Sequence, residues 1–330
     1  MSLPLRDPAE LATPAGTARA LRMHALRPRK RFGQHFLVSR RVLDRLLEAT
    51  ASSPADLILE VGAGLGTLTA ALAASGASII AVEVDTRLIP ILRATTDRYP
   101  NVRLVVGDVM GMDLGVLVRE REANPDESKR LRSRDSSPPP SRAGRDGSLK
   151  IAANLPYGIA SALIVRALES LPTLERAVIT IQTEVAERIL AAPGSKTYGA
   201  LTVAVRYRAD AARLMRIPPG AFYPPPEVTS TALRLSVLPR PRVAVADEAL
   251  FFAVVRAAFG QRRKVLRNAL TGIATGEKPL TPAEAEEACR RAGIDHRRRG
   301  ETLTLEEFAA LAAAVGAGAA PRPLAAAGGR

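Results

Sequence analysis

Tryptophan is absent from this chain of 330 residues, cysteine occurs once and histidine three times. The single thiol, Cys289, excludes an intramolecular disulfide framework and any multi-cysteine zinc cluster. His24, His35 and His296 are too few for a multi-histidine site, so no metal is expected. The lack of disulfides fits a reducing compartment, and the expected location is cytoplasmic. Acidic residues are scarce beside basic ones, 33 against 47. The resulting charge of +14 points to a polyanionic partner, nucleic acid before an acidic membrane.

A long hydrophobic run is also missing. A membrane-spanning helix takes about 20 apolar residues. The longest uncharged run, between Glu60 and Glu83, is broken by Gly62, Gly64, Gly66 and Gly76 and by Thr67, Thr69, Ser75 and Ser78. It reads as strand, glycine loop, helix and second strand. The Ala-rich stretch Phe308 to Ala320 is too short to span, so no membrane association is expected. Residues 1–27 carry several arginines, yet Asp7 and Glu10 argue against a mitochondrial transit peptide, and the segment reads as a flexible basic tail.

What is present is a globular composition, 47% hydrophobic, in a chain long enough for two domains. Ser39 is a candidate N-cap for a helix through Val42, Leu43, Leu46 and Leu47. Leu57–Val61 reads as a buried strand, Leu65–Ala74 as a helix and Ile79–Val84 as a second strand, followed by a helix through Leu88 and Leu92. Arg103–Val106 is a third strand. Residues 115–149, with Pro138-Pro139-Pro140 and little to bury after Val118, read as a disordered insertion. Strands follow at Leu149–Ala153, Ala177–Ile181, Arg213–Ile217 and Thr229–Val237, with helices at Ile159–Leu168 and Glu184–Leu190. The alternation argues for an open, largely parallel, Rossmann-like α/β sheet. Pro239-Arg240-Pro241 reads as a boundary. Beyond it Leu250–Phe259, Arg262–Leu270, Pro282–Arg291 and Leu305–Val315 read as the helices of a small all-helical domain over 240–315, with 316–330 a flexible tail. The sheet domain then spans 28–239.

Glu60-Val61-Gly62-Ala63-Gly64-Leu65-Gly66 falls at a strand-to-helix turn, where glycine lets a ligand approach the backbone. A dinucleotide fingerprint needs glycine at position 67, where Thr67 stands. The observed G-x-G-x-G after Glu60 resembles instead the S-adenosylmethionine loop of α/β methyltransferases. Glu83 ends the second strand, where a carboxylate can accept from both hydroxyls of a ribose. Asp108, after the third strand, can accept from an adenine amine. Asp85 reads as a local turn or N-cap group.

Asn154-Leu155-Pro156-Tyr157 follows the fourth strand and resembles the (D/N)-P-P-Y signature of methyltransferases acting on exocyclic amines. In its N-L-P-Y form, together with Arg29–Leu37, Ala221–Val228 and Phe259–Lys264, the chain resembles the KsgA-type ribosomal small-subunit adenine dimethyltransferases over roughly residues 28–315. The chemistry agrees. The Asn154 side chain and a backbone carbonyl of the Leu155-Pro156 segment can accept the two amine hydrogens and favour a pyramidal nitrogen. Tyr157 can stack on an extruded base, and Phe222 is the candidate for the opposite face. The resemblance implies that His35 and Leu37 contact the methionine part of the cofactor, with Gly62, Gly64, Glu83, Asp108 and Asn154 completing its site. The family usually carries Asn where His35 stands, Lys at Glu227 and Asp at Thr229; the 115–149 segment is atypical too.

The resemblance further implies a monomer that dimethylates two adjacent adenines in a 3′-terminal hairpin of small-subunit rRNA, within a pre-ribosomal particle. The rivals are an Erm-type large-subunit dimethyltransferase and a non-catalytic nucleic-acid-binding assembly or transcription factor on the same fold. Leu155, Tyr157 and the Gln261-Arg262-Arg263-Lys264 segment favour the small-subunit type over the former, and the intact Gly62, Gly64, Glu83, Asp108 and Asn154 argue against the latter. Arg27–Arg31, Arg262-Arg263-Lys264 with Arg267, and Arg297-Arg298-Arg299 are the expected phosphate-binding clusters.

Overall fold

The computed structural model describes residues 8–29, 32–123, 147–275 and 278–318. They form two compact units, one reaching Ala186 and resuming over Asp210–Leu238, the other made of Glu187–Ala209 and the residues from Pro239 onward.

The chain opens with helices α1 (Pro8–Leu11) and α2 (Pro14–Met23), then strand β1 (Phe36–Leu37) and helix α3 (Arg40–Thr50). Next come β2 (Leu57–Val61), α4 (Thr67–Ala73), β3 (Ser78–Glu83), α5 (Ile89–Thr96), β4 (Val102–Val106) and α6 (Leu114–Ala123). From residue 147 onward follow β5 (Leu149–Asn154), α7 (Ala160–Ser170), β6 (Leu174–Gln182) and α8 (Thr183–Leu190). Helix α9 (Ala200–Arg208) belongs to the second unit, and the chain then returns to the first with β7 (Ala209–Ile217), β8 (Phe222–Tyr223) and β9 (Ser230–Val237).

Seven strands form one sheet in the order β4-β3-β2-β5-β6-β9-β7. The first five are parallel and β9 runs antiparallel to β6. Successive side chains alternate between the two faces of a strand. Ile58, Ile79, Ala81, Ala152, Val178 and Ala232 pack with Val42, Leu43, Leu46, Leu68 and Leu72 from α3 and α4. Their alternates Leu59, Val61, Ile151, Ile179 and Leu235 meet Leu114 of α6 and Leu163, Ile164 and Ala167 of α7 on the other face. Strands buried on both faces read as continuous apolar runs, which is why β2, β3 and β6 stand out in the sequence. Ser39 caps α3 as expected, its hydroxyl accepting from the Val42 N–H at 3.4 Å.

Several sequence expectations change in the structure. Residues 8–23 are not a loose tail. Thr13 caps α2 with Pro14 in its first turn, and Leu11, Ala20 and Leu21 are buried against Phe36, Leu65, Leu88 and Ile91. The cap-and-proline pair is a helix start signal that the arginines around it obscure. The insertion expected over 115–149 begins as α6, with Leu117 and Val118 buried, and its 124–146 part lies outside the described residues. The tail expected over 316–330 does not start at 316, since the helix Leu305–Gly318 runs through its first three residues. Lys30, Arg31 and residues 319–330 lie outside the described residues.

The second unit contains α9, α10 (Glu248–Gly260), α11 (Leu266–Ala269), α12 (Pro282–Arg291) and α13 (Leu305–Gly318). Its core is built on Tyr198, Tyr207, Phe251, Leu266, Phe308 and Leu311. Tyr207 stacks on Phe251 at 5.0 Å, and the Tyr198 hydroxyl donates to the Leu303 carbonyl at 2.9 Å. The helix expected over Arg262–Leu270 is shorter. Arg262, Arg263 and Lys264 occupy a turn between α10 and α11, because α10 ends at Gly260.

Candidate active site

The face alternation that buries Ile58, Ala81, Ala152 and Val178 carries Glu60, Glu83, Asn154 and Gln182 to the same face, at the carboxyl ends of four neighbouring strands. This is where open α/β sheets bind ligands. Two cavities open there. A narrow one of about 80 Å³ is lined by the glycine loop, Glu60, Glu83, Asn154–Tyr157 and Phe32–Leu37. A wider cleft of about 660 Å³ shares Phe32–His35, Pro156 and Tyr157 and adds Asp108, Gln182 and Pro224–Val228.

The glycine loop turns tightly. Gly62 and Gly64 take φ of 77° and 59°, in the left-handed region. A Cβ on Gly64 would stand 3.2 Å from the Phe36 ring, and one on Gly62 would stand 3.3 Å from Pro156. The loop thus touches both the N-terminal segment and the tetrapeptide. Glu83 holds it from below, one carboxylate oxygen accepting from the Gly64 N–H and the other from the Asp85 N–H, both at 2.8 Å. Burial pushes the Glu83 carboxyl up, and those amide bonds only partly oppose it. Beside it Glu60 is buried, its Oε2 without a hydrogen-bond partner among the described residues, and burial together with the Glu83 charge lifts its pKa to about 8. Asp85 is local, as its position implies. It caps the turn at Thr86–Leu88, binds Arg87 and accepts from Gln34 at 2.9 Å.

Asn154 ends β5. Its Nδ2 donates to the His35 carbonyl at 2.9 Å. A carbonyl only accepts, so this bond fixes which end of the amide is nitrogen and leaves Oδ1 as the acceptor. Leu155 is buried, and its N–H binds the Thr180 carbonyl, which anchors the tetrapeptide to β6. The Tyr157 hydroxyl bonds Ser230 at 2.8 Å, and burial raises its pKa. His35 stacks on the Tyr157 ring with centroids 5.6 Å apart. Its Nδ1 lies 2.7 Å from the Pro224 carbonyl, so that nitrogen carries the proton.

Leu37 and His35 line the narrow cavity. Asp108 lines the wide cleft, and its carboxylate accepts from the Met110 N–H at 2.9 Å. Phe222 departs from expectation. It pairs with Leu37 in the β1–β8 ribbon, is buried in the core and lines neither cavity. An aromatic opposite an inward-pointing leucine is taken by the core, and the ring facing Tyr157 is His35. Two supporting residues have roles that the sequence does not show. Arg166 of α7 donates to the carbonyls of Val109, Met110 and Met112 and so holds the turn after Asp108. Gln34 ties the N-terminal segment to Asp85 while accepting from the Arg29 N–H. Neither has a local spacing that marks it.

Among the described residues no cluster of three or more His, Cys, Asp or Glu stands ready for a metal, and no helix is long and apolar enough to cross a membrane. Of the expected phosphate-binding residues, Arg262 donates to the carbonyls of Lys196 and Tyr198, Arg267 pairs with Glu286 and Arg298 with Glu307. Arg263, Lys264, Arg297 and Arg299 are exposed, their side chains unpartnered among the described residues. Backbone bonds from Leu266 to Arg298 and from Arg267 to His296 bring their two segments together.

The family model for ribosomal RNA adenine dimethylase matches residues 25–311. A ribosomal RNA small subunit methyltransferase A from Pelotomaculum thermopropionicum is 41% identical over 303 residues, 92% of this chain and 96% of the relative. The protein of the same description from Alkaliphilus oremlandii is 39% identical over 302 residues with the same two coverages. Among solved structures, a dimethyladenosine transferase from Plasmodium falciparum superposes with a TM-score of 0.63 at 21% identity, covering 83% of this chain and 95% of its own. The 23S rRNA methyltransferase ErmE gives 0.56 at 23%, covering 84% and 98%. At those identities the two structures establish the methyltransferase fold.

Proposed function

This chain belongs to the ribosomal RNA adenine dimethylase family, and we propose that it methylates the N6 amines of two adjacent adenines in a 3′-terminal hairpin of small-subunit rRNA. It is an S-adenosylmethionine-dependent RNA adenine dimethyltransferase. The Pelotomaculum and Alkaliphilus relatives are small-subunit methyltransferases, which supports the small over the large subunit as substrate. On this reading the chain acts as a monomer on a pre-ribosomal particle in the cytoplasm. The sheet unit carries the chemistry, and the helical unit offers its exposed cations to phosphate.

The lining of the narrow cavity, together with Asp108 of the cleft that shares its Phe32–His35 wall, suits the chemistry of S-adenosylmethionine. Glu83 keeps lone pairs for a ribose diol, Gly62 and Gly64 keep the floor free of side chains, and the unpartnered Glu60 oxygen leaves a buried polar group for a ligand to meet. When bound, that cofactor supplies a methyl group already activated on a sulfonium.

The observation that carries the proposal is the Asn154 amide, fixed by His35 with its oxygen free to accept. An adenine amine is a poor nucleophile, since its lone pair is delocalised into the ring. Asn154 Oδ1 and a carbonyl of the Leu155-Pro156 segment accept its two hydrogens, which localises the lone pair and aims it. Because these acceptors are in place beforehand, they stabilise the developing charge without reorganising. Tyr157, its hydroxyl tethered to Ser230, offers a rigid ring on which the extruded base stacks, worth about 1–3 kcal/mol. The test is to incubate the protein with labelled S-adenosylmethionine and unmodified small or large subunits and to map the label. Two neighbouring adenines near the 3′ end of small-subunit rRNA are expected. Label confined to the large subunit would overturn the substrate.

A further inference from the structure

Gln182 is the last residue of β6 and lines the wide cleft together with Pro156, Tyr157 and Gly158. Its orientation follows from the register. Thr180 is the cross-strand partner of Asn154, and Gln182 is two residues further along, on the same face. On the other side its partner is Ser230, whose hydroxyl holds Tyr157. Gln182 therefore stands between the amide that accepts the target amine and the anchor of the ring that stacks the target base.

Two groups beside it are engaged. Asn154 donates one N–H to the His35 carbonyl, and the Tyr157 hydroxyl bonds Ser230. The half-buried Gln182 amide has no partner among the described residues and keeps two donors and an acceptor.

We propose that Gln182 is a specificity-determining residue that donates a hydrogen bond to an unprotonated ring nitrogen flanking the target amine. The inference rests on the adenine reading above. Two carbonyl acceptors recognise any exocyclic amine and cannot by themselves identify the base that bears it. A donor beside them adds the ring edge: adenine offers N1 and N7 as acceptors on either side of its amine, whereas guanine has a carbonyl in place of the amine and a protonated N1. A site built to bond such a group discriminates strongly against analogues lacking it, because its own polar group is then left unpaired.

The test uses small subunits reconstituted with a synthetic 3′ rRNA segment carrying adenine, 1-deazaadenine or 7-deazaadenine at the target. Both analogues keep the amine and replace one ring nitrogen with C–H. For the wild type, kcat/KM should fall about tenfold on one analogue, the size of one missing hydrogen bond in a water-poor site. Gln182→Ala should lose about tenfold on adenine and nothing further on that same analogue. Gln182→Met, which keeps the length of the side chain, should behave alike, with thermal stability and S-adenosylmethionine affinity unchanged for both. An equal loss on all three bases, or no loss on adenine, would overturn the role of Gln182. A wild-type chain that left adenine itself unmethylated would remove the parent reading and this inference with it.

Discussion

Lys150 and Asn154 lie on the same face of the same strand, about 13 Å apart along β5, and their surroundings treat them in opposite ways. Lys150 is buried and donates to Asp56 and to the Ala51 carbonyl, both at 2.8 Å. Asp56 accepts in addition the N–H and hydroxyl of both Ser53 and Ser148. Burial pushes the Asp56 carboxyl up, but the Lys150 ammonium and these donors outweigh it and hold it well below the usual carboxylate range. At the other end, Asn154 uses only its NH₂, and the buried Oε2 of Glu60 nearby has no partner among the described residues. A saturated polar end closes the sheet; an unsaturated one stays open to a ligand. On the proposed function stability and binding are thus separated along one strand, and substitutions at the two ends should fail differently.

The largest effect is expected at the closed end. Asp56→Ala strands a buried ammonium and should lower unfolding free energy by about 3–5 kcal/mol. Methyl transfer per folded molecule should persist, so denaturant melts beside single-turnover rates separate the two quantities. The depressed carboxyl also predicts acid sensitivity. Its contribution is present above the unfolded-state value near pH 3.9 and is lost as pH falls through its lower folded value, so Asp56→Asn should flatten the acid limb of a stability profile.

Asn154→Ala should invert that pattern. The interaction strengthens as the nitrogen becomes pyramidal, so single-turnover methyl transfer should drop about 100- to 1000-fold. The melting profile and S-adenosylmethionine affinity should stay near normal. Normal turnover would break the contrast between the two ends outright.

Glu60 sharpens the comparison through pH. Its folded-state pKa, about 8, lies above its unfolded value, so burying it favours the protonated fold. That contribution is complete below about pH 4.5 and is lost as pH rises toward about 8. Glu60→Gln should therefore be more stable than the wild type, by a margin that opens across this window at no more than about 1.4 kcal/mol per pH unit. A constant margin in pH-resolved melts would show that Glu60 is not buried as a free acid.

The smallest effect extends the contrast of paired and free groups to the helical unit. Neutralising Arg263, Lys264, Arg297 and Arg299 should flatten the salt dependence of RNA binding, by roughly one unit of log–log slope for each phosphate no longer held, with little change in stability. Arg262→Ala should instead loosen the unit, since its guanidinium holds the Lys196 and Tyr198 carbonyls.

Much of this site is legible without the fold. The glycine turn, the acid closing β3 and the tetrapeptide after β5 are local patterns, each set within a few residues of chain. The period-two alternation that buries Ile58 and Ala81 also fixes that Glu60 and Glu83 share a face. The helical unit shows itself through the apolar spacing of Leu250–Phe259 and Leu305–Val315. The interactions that are not legible join distant segments. Asp56 meets Lys150 across 94 residues and His35 meets Asn154 across 119, and nothing in either segment announces the other.

The sequence by itself determined the strands of the main sheet, the strand-end acids and the Asn154–Tyr157 tetrapeptide, since backbone sterics and side-chain period act within a few residues. Only the tertiary structure decided that α1 and α2 pack against Leu65 and Leu88, that Phe222 belongs to the core while His35 faces Tyr157, and that Arg262 is spent on carbonyls while Arg263 stays exposed. Those outcomes depend on which surfaces the chain brings together and which donors and acceptors are left over there, and no spacing along the sequence encodes that.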